Sequence, residues 1–181
     1  MRYLLSRIGR AIYYKFFRVQ RRHYLAHLIN KHQLKSFVEV GVWDGETSLY
    51  ILKHCSSLQQ ITCIDNYAYS KEMRQTKEAT QAMKIRTVNK LNHPKIRFIV
   101  NDDKIVLRNI KDESFDLVFL DHAHDYTRMK EAIKLWLPKI KPGGYLTGHQ
   151  YEMNFLGCVR AVQETLSRVD GRYDAVWVYK K

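Results

Sequence analysis

The sequence predicts an α/β domain built on a doubly wound, mostly parallel sheet, and three observations lead to that class. Short apolar runs alternate with longer helical stretches after residue 35, which favours right-handed strand–helix–strand crossovers. The runs at 61–64 and 115–120 are nearly all apolar, as strands covered on both faces are. The length of 181 residues is that of one domain with one core.

Residues 3–30 are predicted to form a basic amphipathic helix. Apolar residues recur there at three- and four-residue steps, at Leu5, Ile8, Ile12, Phe16 and Val19. Two interpretations stay open: the apolar stripe packs on the domain, or the helix lies on an anionic lipid surface. We therefore divide the chain into an N-terminal basic helical arm, residues 1–35, and a domain, residues 36–181.

The first half of the domain contains three predicted strands, separated by helices. SFVEVGV predicts a strand at 36–42, a helix follows at 47–54, and ITCID predicts a strand at 61–65. A long polar helix, or a pair of helices, covers 70–91 and ends before Pro94, and IRFIVN predicts a strand at 96–101.

The second half repeats this alternation. A short helix is predicted at 104–110, and FDLVFLD at 115–121 is the clearest strand of the chain. A helix at 126–137 is followed by a turn at Pro142-Gly143-Gly144 and a strand at 145–149. A helix at 155–169 and a strand at 173–179 complete the predicted domain.

Composition and charge narrow the classes of function. Hydrophobic residues make up 45% and charged residues 27%, which is globular composition. The net charge is +13, and residues 1–35 hold nine basic residues and no acidic one. A basic segment suggests a polyanionic neighbour: nucleic acid, an anionic membrane face or a phosphorylated substrate.

Cysteines and hydropathy predict a cytoplasmic protein, with membrane association through the arm as the alternative. The three cysteines, Cys55, Cys63 and Cys158, lack metal-site spacing and are expected to be reduced thiols. No uncharged stretch approaches the roughly 18–20 residues of a membrane span, and charges interrupt any secretory apolar region.

The first predicted strand leads into a glycine-containing turn of the form EVGVWDGETS. Gly41 allows a sharp turn and close approach of a ligand, and Gly45 and Ser48 lie where the next helix begins. The segment is neither a phosphate-binding loop, which needs Gly-Lys-Ser/Thr, nor a dinucleotide fingerprint, which needs glycine where Trp43 stands. Glu39 would repel pyrophosphate and suits a cationic ligand.

Acidic residues end the next two strands as well. Asp65 lies 20 residues after Gly45, where a carboxylate can bind both hydroxyls of a ribose. Asp102 and Asp103 end the third strand, where a carboxylate can accept a hydrogen bond from the adenine amino group. Strand-end acids, a glycine turn and no phosphate clamp suit a positively charged nucleoside such as S-adenosylmethionine.

Two segments carry a family resemblance that covers about residues 36–181. FVEVGVWDGETS resembles motif I of the class I S-adenosylmethionine-dependent methyltransferases. FDLVFLDHAHDYTRMKEAIKLWLPKIKPGGYLTGHQY, followed by GCVRAVQE, resembles the small methyltransferase 24 type. The resemblance implies a Rossmann-like fold and methyl transfer. It also implies that the ribose of the cofactor contacts Asp65, that the adenine contacts Asp102 and Asp103, and that the transferred methyl lies beside Asp121. The residues implied around the methionine part are Glu39, Gly41, Trp43, Gly45 and Ser48.

Gln150 departs from the family pattern, because it stands where the branch usually has Asp. In metal-dependent relatives, Asp121 and that Asp help to bind Mg²⁺, which prefers hard oxygen ligands. Gln offers one neutral oxygen. Dependence on Mg²⁺ or Mn²⁺ therefore stays open, with Asp121, His149 and Gln150 as the candidate ligands.

The leading hypothesis is methylation of a hydroxyl oxygen on a small molecule or sugar, and nucleic acid is not the expected substrate because the arm has no recognised binding fold. The acceptor must lose a proton, so His124 and His149 join Asp121 as candidate catalytic residues. Two alternatives remain: an RNA or protein methyltransferase that uses the arm, and a catalytically inactive, membrane-peripheral scaffold that contacts lipid through residues 1–30.

Overall fold

The computed structural model describes residues 21–68 and 76–181. Its helices are α1 (21–32), α2 (Glu46–His54), α3 (Lys77–Lys90), α4 (Asp103–Leu107), α5 (Tyr126–Trp136) and α6 (Leu156–Thr165). Its strands are β1 (Ser36–Val40), β2 (Gln60–Ile64), β3 (Ile96–Ile99), β4 (Phe115–Leu120), β5 (Ile140–Gly148), β6 (Gly171–Tyr173) and β7 (Val176–Lys180). The apolar stripe predicted between Leu5 and Val19 lies outside the described residues.

The strands form one seven-stranded sheet in the order β3-β2-β1-β4-β5-β7-β6. Strands β1 to β5 are parallel, whereas β7 runs antiparallel to β5 and β6 antiparallel to β7. The predicted doubly wound, mostly parallel sheet is confirmed. The strand order reverses between β1 and β4, and ligands of such sheets bind beyond the carboxyl ends of the strands at this switch point.

Two local predictions near the C-terminal end were wrong. Pro142-Gly143-Gly144 lies inside β5 and not in a turn before it. The strand accommodates these residues as an irregularity: Gly143 has a φ of +78°, and the pairing with β4 shifts register between Phe115 and Leu117. The segment predicted as one strand at 173–179 contains the turn of a hairpin: β6 ends at Tyr173, Asp174 has a φ of +53°, and β7 begins at Val176.

The apolar core has two halves, one on each face of the sheet. Alternation along β1 sends Phe37 to the face covered by α1 and α2, and Val38 to the face covered by α5 and α6. Strand β4 follows the same rule: Phe119 belongs with Phe37, and Leu120 belongs with Val38. The side of the sheet to which a strand residue points therefore determines which helices it packs against.

Helix α1 packs directly on the sheet. Leu25 and Ile29 are completely buried and belong to the same apolar cluster as Phe37 and Val178. Burial of such side chains stabilises the fold by about 1.5–3 kcal/mol each. None of the helices in the described ranges is long and apolar enough to cross a membrane.

Candidate active site

The carboxyl ends of the central strands lie level with one another. Val40 of β1 pairs with Ile64 of β2 and Leu120 of β4, and Leu120 pairs in turn with Gly148 of β5. The residues that immediately follow the four strand ends are Gly41, Asp65, Asp121 and His149. The sequence prediction placed functional groups at this edge, and the pairing register brings those chain positions together.

The turn after β1 runs against the end of β4. Gly41 has a φ of +91°, and a Cβ atom there would lie 2.8 Å from the carbonyl carbon and oxygen of Asp121 and from the amide nitrogen of His122. Both the backbone conformation and the lack of space require glycine. This contact sets the distance between the β1 turn and the end of β4.

Asp65 holds the turn in place. Its Oδ2 accepts hydrogen bonds from the backbone N–H groups of Val42 at 2.8 Å and Trp43 at 2.9 Å. Its Oδ1 accepts a third from the N–H of Tyr67 at 2.7 Å. The carboxylate thus organises the loop in the described residues, and its contact with a ribose stays a prediction.

Trp43 adopts a left-handed conformation with a φ of +53°. Its carbonyl oxygen accepts hydrogen bonds from the hydroxyl of Tyr67 at 2.7 Å and from Oγ1 of Thr87 at 2.8 Å. The ring of Tyr67 stacks on that of Phe98, with centroids 6.4 Å apart. Sequence reasoning missed Tyr67 and Thr87. The only sequence signal for Tyr67 is that an aromatic residue follows shortly after Asp65, and Thr87 has none.

Glu39 is buried beneath the turn, with 1% of its surface exposed. Gly45 begins α2 in a left-handed conformation, and the first turn of the helix brings Ser48 to Glu39. The N–H and Oγ of Ser48 both donate to Oε2 of Glu39, at 3.1 and 2.5 Å. Burial raises the pKa of Glu39 to about 8, against the opposing effects of Ser48 and Arg21. Glu39 is therefore predominantly neutral below that pH.

The acids after β3 have partners within the protein. Asp102 caps α4 by accepting a hydrogen bond from the N–H of Lys104 at 3.0 Å. Asp103 is buried, accepts a hydrogen bond from Nε1 of Trp136 at 2.8 Å and lies 3.6 Å from Nε2 of His122. The predicted adenine contacts of both residues stay predictions.

Asp121 is the centre of a mostly buried polar cluster that includes Arg21 from α1. Its Oδ2 lies 2.8 Å from Nη1 of Arg21, and its Oδ1 lies 3.2 Å from Nδ1 of His149. Burial alone would raise the pKa of Asp121, but the positive charge of Arg21 and the hydrogen bond to His149 outweigh it and hold the pKa well below its usual range. Asp121 is therefore a carboxylate throughout the neutral range.

Gln150 completes the cluster in a left-handed conformation with a φ of +60°. Only 4% of its surface is exposed. Its Nε2 lies 3.0 Å from Nδ1 of His149 and 3.5 Å from Oδ1 of Asp121. Its Oε1 is buried and has no hydrogen-bond partner among the described residues. A buried amide with one end unpaired is costly, and a bound ligand with a hydroxyl group, which both donates and accepts, would satisfy it.

His124 lies near the cluster but outside its hydrogen bonds. Its ring is 6.0 Å from that of Phe155, and burial lowers its pKa, with the nearby charge of Asp121 opposing that effect. The histidine that contacts Asp121 is His149.

The residues around Asp121 do not fit a Mg²⁺ ion as they are arranged. One carboxylate oxygen of Asp121 contacts a guanidinium nitrogen of Arg21, the other lies 3.2 Å from Nδ1 of His149, and Gln150 adds only a neutral amide. The described part of the chain contains no group of three or more His, Cys, Asp or Glu residues arranged to hold a metal ion. Mg²⁺ demands octahedral oxygen coordination, which this donor set does not supply.

Comparison with known proteins identifies the family. Residues 38–151 match the model of a family described as a methyltransferase domain. That match covers more than half of the chain, so the chain belongs to this family. With its Rossmann-like sheet and strand-end site, the chain is a class I S-adenosylmethionine-dependent methyltransferase. A search of curated proteins finds no match.

Solved structures share the fold at low sequence identity. A Corynebacterium glutamicum protein is 18% identical with a TM-score of 0.62, and the alignment covers 90% of this chain and 79% of that one. A Staphylococcus aureus protein provisionally described as a caffeoyl-CoA O-methyltransferase is 16% identical with a TM-score of 0.61, covering 89% and 82%. Spermidine synthase from Thermotoga maritima is also 16% identical with a TM-score of 0.61, covering 89% of this chain and 58% of that one. Such similarities establish the fold and leave the acceptor open.

Proposed function

We propose that this methyltransferase transfers the methyl group of S-adenosylmethionine to a hydroxyl oxygen of a small molecule or sugar. The observation that carries the proposal is the contact between Nδ1 of His149 and Oδ1 of Asp121, 3.2 Å long, at the strand ends. A histidine oriented by a carboxylate is a suitable general base at neutral pH. The Staphylococcus aureus protein described as an O-methyltransferase agrees with an oxygen acceptor.

The cofactor would lie across the level strand ends. The glycine turn from Gly41 to Ser48 would face its methionine part, and Asp65 its ribose. When bound, S-adenosylmethionine supplies an electrophilic methyl carbon on a sulfonium sulfur. In-line displacement at such a carbon needs close approach and alignment more than covalent help from the protein.

His149 would take the acceptor proton. In the tautomer that donates Nδ1–H to Asp121, the amide of Gln150 turns its oxygen towards Nδ1. Nε2 then carries the lone pair that accepts the hydroxyl proton. The carboxylate then stabilises the imidazolium that forms, since the low pKa of Asp121 keeps it ionised.

Gln150 supports an acceptor that carries a further polar group. One end of its buried amide has no hydrogen-bond partner in the described ranges, and it lies adjacent to the proposed base. A substrate hydroxyl neighbouring the one methylated can both donate and accept, so it would supply the missing partner. A purely apolar acceptor would leave this amide atom unsatisfied, at a cost of about 1–3 kcal/mol.

The first test is calorimetric titration of the full chain with S-adenosylmethionine and S-adenosylhomocysteine. The expected result is binding that Asp65→Ala weakens strongly. Absence of binding to the wild type would overturn the enzymatic proposal and favour the scaffold alternative.

The second test is transfer of labelled methyl groups to a panel of hydroxylated small molecules, sugars, RNA and protein. We expect label on a hydroxylated small molecule or sugar, with a turnover that His149→Gln lowers by roughly 10²–10⁴-fold while cofactor affinity is retained. Label on RNA or protein alone would overturn the proposed acceptor class. Full activity of His149→Gln would overturn the proposed base.

A further inference from the structure

The side chain of Arg21 is a mostly buried cation that points into the site from outside the matched family region. Its Nη1 lies 2.8 Å from Oδ2 of Asp121 and 3.4 Å from Nδ1 of His149. The side chain is 12% exposed, and its Nε is buried without a hydrogen-bond partner among the described residues. A guanidinium has five N–H donors, so donors remain for a ligand.

Helix α1 holds this guanidinium in a fixed position. Leu25 and Ile29 anchor the helix in the core. The next residue, Arg22, pairs with the carboxylate of Glu46 at 3.2 Å and lies over the ring of Tyr50, 5.6 Å from its centroid. A charge fixed before the reaction needs little reorganisation when charge develops in the transition state.

The position of Arg21 is the one that a divalent cation would need. A metal ion bound at Asp121 would have to approach the carboxylate oxygens, and Oδ2 already contacts the guanidinium. Oδ1 lies 3.2 Å from Nδ1 of His149, so the second oxygen also faces a donor. The protein thus presents hydrogen-bond donors of its own to both oxygens of Asp121.

We propose that Arg21 is the cation of this site, replacing a divalent metal, and that it binds the acceptor oxygen during methyl transfer. The proposal rests on the proposed O-methylation. The acceptor O–H proton passes to Nε2 of His149, and the oxygen forms a bond to the methyl carbon as the sulfur–carbon bond breaks. The electron pair of that bond stays on sulfur, giving a neutral thioether. The N–H groups of Arg21 donate to the oxygen while it carries partial negative charge.

The metal part of the proposal is tested without any acceptor, by electron paramagnetic resonance of free Mn²⁺ mixed with the full chain. The wild type is expected to bind no Mn²⁺ at stoichiometric protein. The double variant Arg21→Ala/Gln150→Asp removes the guanidinium and adds a carboxylate, and it is expected to bind Mn²⁺. Arg22→Ala, which removes a neighbouring arginine that contacts Glu46 instead, is the matched control and is expected to bind none.

Two outcomes of that titration overturn the replacement. Tight Mn²⁺ binding by the wild type, displaced by Mg²⁺, would show a functional metal site despite Arg21. A double variant that retains its melting transition and its affinity for S-adenosylhomocysteine, but binds no Mn²⁺, would show that Arg21 does not stand in a cation position. These readouts are independent of turnover, so they remain decisive if the proposed acceptor class is wrong.

The catalytic part is tested on whichever acceptor the methyl-transfer panel identifies. Removal of one preorganised donor is expected to cost about 10²–10³-fold in kcat, so Arg21→Ala should show that loss while EDTA leaves the wild type unchanged. Added guanidinium ion should restore part of the activity of Arg21→Ala, because the cavity then accepts the missing group. Unchanged kcat in Arg21→Ala, or loss of wild-type activity in EDTA, would overturn the assignment.

Discussion

Arg21 and Asp121 form an ion pair across the carboxyl end of the sheet, with 2.8 Å between Nη1 and Oδ2, although they are 100 positions apart in the chain. Their side chains are 12% and 11% exposed. Asp121 follows Phe119 by two residues, so the alternation of β4 directs it to the face that α1 covers. The pair therefore couples the docking of α1 to the ionised state of Asp121.

Breaking this pair from one side should cost more than removing both partners. Asp121→Asn leaves a buried guanidinium uncompensated, and we expect a loss of about 3 kcal/mol in the free energy of unfolding. Arg21→Met should cost a similar amount, and the double variant should cost less than the sum. Urea unfolding of the four proteins gives the coupling energy, expected to exceed about 1 kcal/mol.

Arg22 and Glu46 provide the comparison for that cycle. Arg22 is the neighbour of Arg21 on α1, but its partner Glu46, at the start of α2, is 44% exposed. Exposed pairs typically couple by less than about 1 kcal/mol. Equal coupling in the two cycles would show that burial of the Arg21–Asp121 pair does not strengthen it.

A second prediction concerns Gly41. Gly41→Ala would place a Cβ atom 2.8 Å from backbone atoms of Asp121 and His122, so the turn must move away from β4. We expect a loss of stability of about 2–4 kcal/mol, from the unfavourable φ together with the steric overlap. Affinity for S-adenosylhomocysteine should fall as well, since the turn is the proposed cofactor contact.

Gly143→Ala is the matched control, because Gly143 also has a positive φ, +78°, but a Cβ atom there meets nothing within 4 Å. Its expected cost is the conformational term alone, about 1 kcal/mol, with unchanged cofactor affinity by calorimetry. If both variants lose the same stability and both bind the cofactor normally, the close contact between Gly41 and the end of β4 is not needed for stability or for cofactor binding.

A third prediction follows from the buried carboxyl of Glu39. Its folded-state pKa of about 8 lies above its usual value of 4.5, so the folded protein holds this proton more tightly than the unfolded chain does. The contribution of this group to the free energy of unfolding is therefore fully present below pH 4.5 and is lost as the pH rises towards 8. The slope within that window should approach 1.4 kcal/mol per pH unit, roughly the value for one proton.

Glu39→Gln isolates this effect, because glutamine keeps an oxygen for Ser48 and never ionises. The difference in unfolding free energy between wild type and Glu39→Gln, measured in urea across the window, should move in favour of the variant as the pH rises. A difference that stays constant would show that Glu39 ionises at its ordinary pKa.

Local sequence patterns predicted those parts of the site that belong to strand ends. Apolar runs predicted where β1, β2 and β4 end. Because a parallel sheet brings such ends together, Gly41, Asp65 and Asp121 could be placed at one edge. The bonds of Asp65 to the turn were not predictable, because they depend on how the loop backbone closes. The N–H groups of Val42 and Trp43 point at the carboxylate only once that loop is folded.

Arg21 could not be found in the sequence because its role depends on tertiary packing. It is one of nine basic residues in the first 35, and nothing in its spacing distinguishes it from Arg22. The packing of Leu25 and Ile29 on the sheet determines which arginine reaches Asp121. The buried contact between Asp103 and Trp136 was missed for the same reason: these residues are brought together only by the packing of α4 and α5.

A fourth prediction separates two roles of Asp65, which already accepts hydrogen bonds from Val42, Trp43 and Tyr67. Asp65→Asn should weaken binding of S-adenosylhomocysteine by roughly 10-fold or more, since both a loop bond and the proposed ribose contact are lost. Calorimetry with the cofactor product and its 2′-deoxy analogue, on wild type and variant, forms a cycle between protein and ligand. If Asp65 binds the ribose, removing the hydroxyl should matter in the wild type and matter far less in Asp65→Asn. If Asp65 only organises the loop, the hydroxyl should contribute equally in both proteins, and the affinity lost in the variant would then come from the displaced turn at Trp43.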